Sequence, residues 1–270
     1  LFNIPAKHIA RTKFDLAYAR YEDPGYGWLA LQNPDRDDWD DKLGFAALWH
    51  GVDASEMTVS PPDVRSHTFQ DFGTAMLRST EGPDYWKSET PTIAVTFGAA
   101  KYRNHPDRFG FILHALGTVL EPDLVASWDY GVPQGGRNVT PFTASSYAHN
   151  VLVVDGRNHG MDGGKLVIDD YGEHIKVLGM AGERIHPGDA NECVDMGRCL
   201  GLTREYLLDV TYIAGMQLPH QFDLVIPAYG ELSVPEIALE DYDLGADLGF
   251  LEIDTGSQHP ENRWLTEGKR

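Results

Sequence analysis

Residues 111–121 read FILHALGTVLE, and the reading of this stretch decides the fold. The stretch is predicted to be a pair of strands, the first ending at Gly117, because β-branched and aromatic runs bounded by glycine favour sheet over helix. The same texture recurs outward in both directions. On the N-terminal side, HTFQDFGTAMLRST (67–80) alternates, with Phe69, Phe72, Ala75 and Leu77 as inward candidates, and TIAVTF (92–97) follows. On the C-terminal side come HNVLVVDG (149–156), KLVIDDY (165–171), HIKVLGMA (174–181), YLLDVTYIAG (206–215) and FDLVIPAYG (222–230). Many short strands separated by Gly, Pro, Asp or Asn predict a mainly β chain folded as an antiparallel β-sandwich.

Upstream the texture differs. HIARTKFDLAYARY (8–21) places Ile9, Phe14, Ala17, Tyr18 and Tyr21 near one helical face, and Asp23-Pro24-Gly25 breaks it. GWLALQ (27–32) and DDKLGFAALWHG (40–51) predict two further short helices. Pro61-Pro62 marks an extended linker. The expected organisation is therefore helices over 1–55, a linker over 56–66 and a sandwich over 67–270. A helical part this short is expected to pack against helices lying upstream of Leu1. Both ends look cut, so a piece of a longer protein is expected.

Composition narrows the partners. The 270 residues are 42% hydrophobic, with a formal net charge of -19. That charge argues against nucleic acid, which needs a basic face. No apolar run approaches the roughly 18 to 20 residues needed to cross a membrane. A polyanionic substrate would be repelled unless a local cationic patch overrode the global field. KYRNHPDRFGF (101–111) is such a patch: Lys101, Arg103 and Arg108 crowd around His105 and Asp107. Two readings stand, a solvated loop and a site for an anionic substrate with a metal beside it. Cys193 and Cys199 can bridge or remain free thiols.

Two imidazoles and a carboxylate at strand ends can make a three-ligand zinc site with an open fourth position. His105, Asp123 and His149 are the candidates. Spacing leaves the alternative open, with His149 a hydrogen-bonded strand-end histidine and Asp123 a turn former after Pro122.

The order of these motifs resembles the heparinase II/III-like polysaccharide lyases, a superfamily that includes heparin lyases and oligoalginate lyases. Asp71-Phe72-Gly73 with Leu77-Arg78 is similar to its D-x-G-x-x-x-L-R strand. His105, Asp107 and Phe111 match a segment H-x-H-x-D-x-x-S-F, and Leu120 with Asp123 matches L-x-x-D-x-G. Tyr130-Gly131 and the run from Ala148 to Gly156 match the two remaining motifs. AYARYEDPGYGWLAL is similar to the last helices of the α/α toroid that precedes the sandwich in these enzymes.

The resemblance implies β-elimination on a uronic-acid polymer or oligomer. It implies a structural zinc on His105, Asp123 and His149, with Asp107 or Asn150 orienting the imidazoles from outside. It places Arg103 against the substrate carboxylate, Tyr130 as a hydrogen-bonding or proton-relay group, and Arg137 as a clamp on a neighbouring sugar. Lys101 and Arg108 set the local field for the substrate. The main base is expected on toroid helices upstream of Leu1, supplied by the same protein or a companion chain. A periplasmic or secreted location is implied as well. Arg103 stands where relatives carry the first histidine of H-x-H, and arginine is no base near neutral pH. This departure keeps two alternatives open: a carbohydrate-binding sandwich without lyase activity, and a glycoside hydrolase on the same scaffold.

Overall fold

The computed structural model describes residues 11–32, 52–98, 106–123, 145–160, 162–185, 194–214, 219–228, 241–242 and 268–269. Within them lie helices α1 (Arg11–Tyr21) and α2 (Pro24–Gln32). The first strands are β1 (His67–Phe69), β2 (Thr74–Arg78), β3 (Thr92–Thr96), β4 (Phe111–Ala115) and β5 (Thr118–Glu121). β6 (Leu152–Val154), β7 (Lys165–Tyr171), β8 (Lys176–Gly182), β9 (Asp195–Leu202), β10 (Leu207–Ala214) and β11 (Phe222–Leu224) follow. β12 (Asp241–Tyr242) and β13 (Gly268–Lys269) make a short antiparallel pair.

β1 to β5 form one antiparallel sheet in chain order, and β7 to β10 form a second. β6 pairs with β11. The two large sheets face each other across one core. Ala75, Leu77, Ile93, Val95 and Phe111 from the first sheet share a buried cluster with Leu178, Met180, Met196, Leu200 and Leu202 from the second. Leu152 and Val154 of β6 join them. Alternation explains the pattern, because a period of two puts every second side chain on the inner face. The fold is the expected antiparallel sandwich.

The stretch that decides the fold forms the hairpin β4–β5. Ala115 pairs with Thr118, so Leu116 and Gly117 alone make the turn. Their φ values of 55° and 73° are both positive, the primed geometry that suits strand twist.

The stretch 67–80 is two strands rather than one. A short 3-10 turn (Gln70–Phe72) ends on Gly73, which has φ 64°. A Cβ at Gly73 would lie 2.1 Å from Gly98 Cα, so glycine is required twice over. The turn carries Phe69 and Phe72 outward, and they are 43% and 81% exposed. The expectation that both point inward fails for this reason, while Ala75 and Leu77 are buried as expected.

Among the helices, α1 buries Asp15 and Tyr18 and leaves Tyr21 exposed, whereas Ile9 lies outside the described residues. Pro24 opens α2 instead of only ending α1, because proline suits a first helical position. The segment read as a linker is packed in place. Thr58 N donates to Tyr18 Oη at 2.8 Å, Trp86 Nε1 donates to the Pro62 carbonyl at 2.8 Å, and the Trp28 and Trp86 rings are 4.9 Å apart. The helices are thereby seated against the sandwich. Among the described residues, no helix is long and apolar enough to cross a membrane.

Candidate cation site at the end of the first sheet

Antiparallel pairing brings the two ends of the β4–β5 hairpin together. Asp107 precedes β4, and Asp123 follows β5. His149 ends a 3-10 turn (Ser146–Ala148) that leads into β6. The turn is tied to the Asp107 segment: Ser146 Oγ donates to the Pro106 carbonyl at 2.6 Å and accepts from His159 N at 2.8 Å. One ligand atom each from Asp107, Asp123 and His149 lie within 4.8 Å of one another. His149 is buried and its Nδ1 is hydrogen-bonded to Asp123 Oδ1, while the two carboxylates are half-buried.

The electrostatics are unfavourable for this set by itself. Burial pushes the Asp107 pKa up to about 6, with Asp123 adding to the rise and His149 opposing it. Two carboxylates and an imidazole, converging where water is scarce, suit a divalent cation such as zinc, whose charge reverses the cause of that shift. The residues present therefore fit the metal that the sequence motifs imply.

Of the expected set, Asp123 and His149 lie side by side, joined by a hydrogen bond. His105 lies outside the described residues, as do Lys101, Arg103, Tyr130 and Arg137. Asp107, expected as an outer orienting group, contributes its own carboxylate to the cluster. Asn150 is turned elsewhere: its Nδ2 donates to Glu121 Oε2 and its Oδ1 accepts from Arg198 Nη2 at 2.7 Å. Burial raises the Glu121 pKa, while Asn150 and Arg198 pull the other way.

The described part of the cationic patch is not a solvated loop. Pro106, Arg108, Phe109 and Gly110 are all buried. Arg108 does not set a surface field, because its guanidinium is turned inward and Nη1 donates to the Glu183 carbonyl at 3.0 Å. Burial lowers its pKa against the opposing influence of Asp162. Phe109 holds φ 64°, an unusual conformation for a bulky residue. Its ring fits only because Gly164 has no side chain; a Cβ there would lie 2.2 Å from it.

Asp107, Asp123 and Asn150 also edge a cavity of about 130 Å³ over the outward face of the first sheet, against Thr74, Met76, Ala94, Thr96 and Ile112. Two other described histidines have structural bonds. His159 Nε2 is hydrogen-bonded to the Leu152 carbonyl at 2.7 Å, and His220 Nδ1 to Asp155 Oδ2 at 2.6 Å. Cys199 is a free thiol, while Cys193 lies outside the described residues.

Sequence reasoning missed Arg198, the largest fully buried side chain among the described residues. The available signal was a single arginine in the apolar, glycine-interrupted run DMGRCLGL, with Asp209 on the next strand to neutralise it.

No family model and no curated protein matches the sequence. Solved structures do match the fold. A heparinase III gene product superposes with a TM-score of 0.54 at 15% identity, covering 78% of this chain and 28% of that one. The heparan sulfate lyase HepC from Pedobacter heparinus superposes with a TM-score of 0.53 at 16% identity, over 78% of this chain and 28% of its own. A further heparinase III structure gives 0.50 at 15% identity, over 74% and 28%. The chain thus has a heparinase-like scaffold and spans just over a quarter of the length of the structures it matches.

Proposed function

We propose that this chain forms the β-sandwich wall of a polysaccharide lyase that cleaves uronic-acid-containing poly- or oligosaccharides by β-elimination. One observation carries the reading: Asp107, Asp123 and His149 converge at a sheet end, on a scaffold shared with heparinase III and a heparan sulfate lyase. The opposite wall is a helical toroid, to which α1 and α2 belong, and it supplies the principal base.

The reaction sets the demands. The C5 proton of a uronic acid is weakly acidic, so the C6 carboxylate must be neutralised as charge moves onto it. A base removes the proton, and an acid protonates the departing O4. Arg103 pairs with the carboxylate, because a planar guanidinium matches its two oxygens. Tyr130 relays a proton or hydrogen-bonds the sugar. Arg137 holds a neighbouring sugar, and Lys101 offsets the negative field along the approach. Asp107, Asp123 and His149 would hold a zinc ion, and the family resemblance would add His105 as a further ligand. Bound there, the ion supplies fixed positive charge and pins the segments that carry it.

The test uses the full-length protein with heparan sulfate, alginate and glucuronan. Ultraviolet absorbance from unsaturated uronate products is the expected result on at least one of them. Absence of unsaturated product on all three overturns the reading.

The alternative of a glycoside hydrolase, with Asp107 and Asp123 as its carboxylate pair, is disfavoured by their separation: the facing oxygens lie within 4.8 Å, short of the roughly 5 to 5.5 Å of a retaining pair and of the wider gap of an inverting one. Hydrolysis releases reducing ends without unsaturated product, and the purified protein would then contain no stoichiometric metal.

A further inference from the structure

The Arg198 guanidinium has five N–H donors, and all five are engaged. Nε and Nη2 donate to the two carboxylate oxygens of Asp209 at 2.9 and 2.6 Å. Nη1 donates to the backbone carbonyls of Phe109 and Asn150 at 3.0 and 2.6 Å. Nη2 also donates to Asn150 Oδ1 at 2.7 Å. The guanidinium carbon lies 4.6 Å from the centre of the Phe111 ring, and the residue is 2% exposed.

These partners sit beside the cation site. Phe109 is two residues beyond Asp107. Asn150 directly follows His149. The Asn150 amide passes the contact on to Glu121, two residues before Asp123. Every segment that carries a member of the cluster is therefore held, directly or through one amide, by a side chain from β9 of the opposite sheet. We propose that Arg198 and Asn150 form a clamp that sets Asp107, Asp123 and His149 at the separation a cation needs, which makes Arg198 a positioning residue. This rests on the cation reading of the cluster given above.

The chemistry requires arginine. The clamped carbonyls are buried and need donors, and Phe109 is held in a backbone conformation it would otherwise leave. Lysine has three donors on a single nitrogen and cannot reach two carbonyls, an amide oxygen and both oxygens of a carboxylate. Asp209 fixes the plane of the guanidinium, so the donors that reach the site point in set directions.

The experiment compares the wild-type full chain with Arg198→Lys, Asn150→Ala and, as a control cut elsewhere, Glu81→Gln. Zinc affinity is read by competition with a chromophoric chelator, site geometry by the visible spectrum of the cobalt-substituted protein, and local order by amide hydrogen exchange of the metal-free protein. Arg198→Lys should lose zinc affinity by about 10- to 100-fold and alter the cobalt spectrum. In the metal-free protein, exchange around residues 107–110, 121–123 and 149–151 should quicken by roughly tenfold or more, with β2 and β3 unchanged. Glu81→Gln should leave zinc affinity and the cobalt spectrum as in the wild type, and any quickening of its exchange should not be confined to those three segments.

Wild-type exchange at those three segments in a folded Arg198→Lys overturns the clamp. If the wild type takes up neither zinc nor cobalt, the cation reading fails alone and the exchange data still decide the clamp. If Arg198→Lys does not fold, Asn150→Ala decides, since it leaves Arg198 and Asp209 in place. Faster exchange at 121–123 then supports the clamp, and unchanged exchange overturns it.

Discussion

Asp107 shows how one side chain changes meaning with its surroundings. In the sequence it is an acid among cations, read either as part of a solvated loop or as a group orienting imidazoles from outside. In the structure it is half-buried beside Asp123, and its pKa has risen to about 6 because that neighbourhood penalises the charged form. Removing one carboxylate should leave too few donors for tight zinc binding, so Asp107→Asn is expected to lower zinc affinity by at least about tenfold. Chelator competition measures this directly. The proposed roles of the cations are separable at the same scale. Arg103→Ala should cost lyase activity far more than Lys101→Ala, since a bidentate contact is lost in one and only a distant charge in the other. Equal small losses in unsaturated product would remove Arg103 from the mechanism. Asp123 and His149 were legible as candidates because they follow and precede strands that the sequence marks clearly. The inward turn of Arg108 was not legible, since nothing local distinguishes it from a surface arginine.

Elements were legible in proportion to how regular their composition is. β3, β4, β5, β7, β8 and β10 stand out as runs of β-branched and aromatic residues, and each lies where its run lies. β9 was not read as a strand, although it is central in the second sheet. Its outward positions include Gly197 and Gly201, which break the usual pattern for reasons that belong to its neighbours. A Cβ at Gly197 would lie 2.1 Å from the Tyr212 ring on β10. The glycine therefore records a cross-strand contact rather than a local preference. The turn after β1 shows the same limit, because alternation across 67–80 hides a break that only the Gly73–Gly98 approach explains. Gly73→Ala must place a methyl against that backbone at a positive φ, and a loss of about 2 to 4 kcal/mol is expected in denaturant unfolding. A wild-type midpoint would mean that the two loops separate at little cost.

Across the whole molecule, polar ties between the sheets complement the apolar core. The Thr68 and Tyr171 hydroxyls share a hydrogen bond between β1 and β7. Glu81 accepts from Ser66 N at 2.7 Å and pairs with the buried Lys176 of β8 at 3.3 Å. Burial alone would raise the Glu81 pKa, but the Ser66 bonds and Lys176 hold it below its ordinary 4.5. A lowered folded pKa contributes stability that is present above the ordinary value and lost as pH falls through the folded one. Glu81→Gln should thus cost about 1 to 3 kcal/mol at neutral pH, with the gap to wild type closing below pH of about 4.5. A gap that stays constant down to acid pH in urea titrations would place the benefit elsewhere. The sequence by itself determined the sandwich and the helices ahead of it, and it singled out Asp123 and His149 of the Asp107–Asp123–His149 cluster as candidates, because periodicity and turn residues are local properties of the chain. The tertiary structure alone decided that Asp107 joins the cluster and that Arg198 reaches it from the facing sheet. Those contacts join residues far apart in the chain, and their energy comes from shared burial that no single segment encodes.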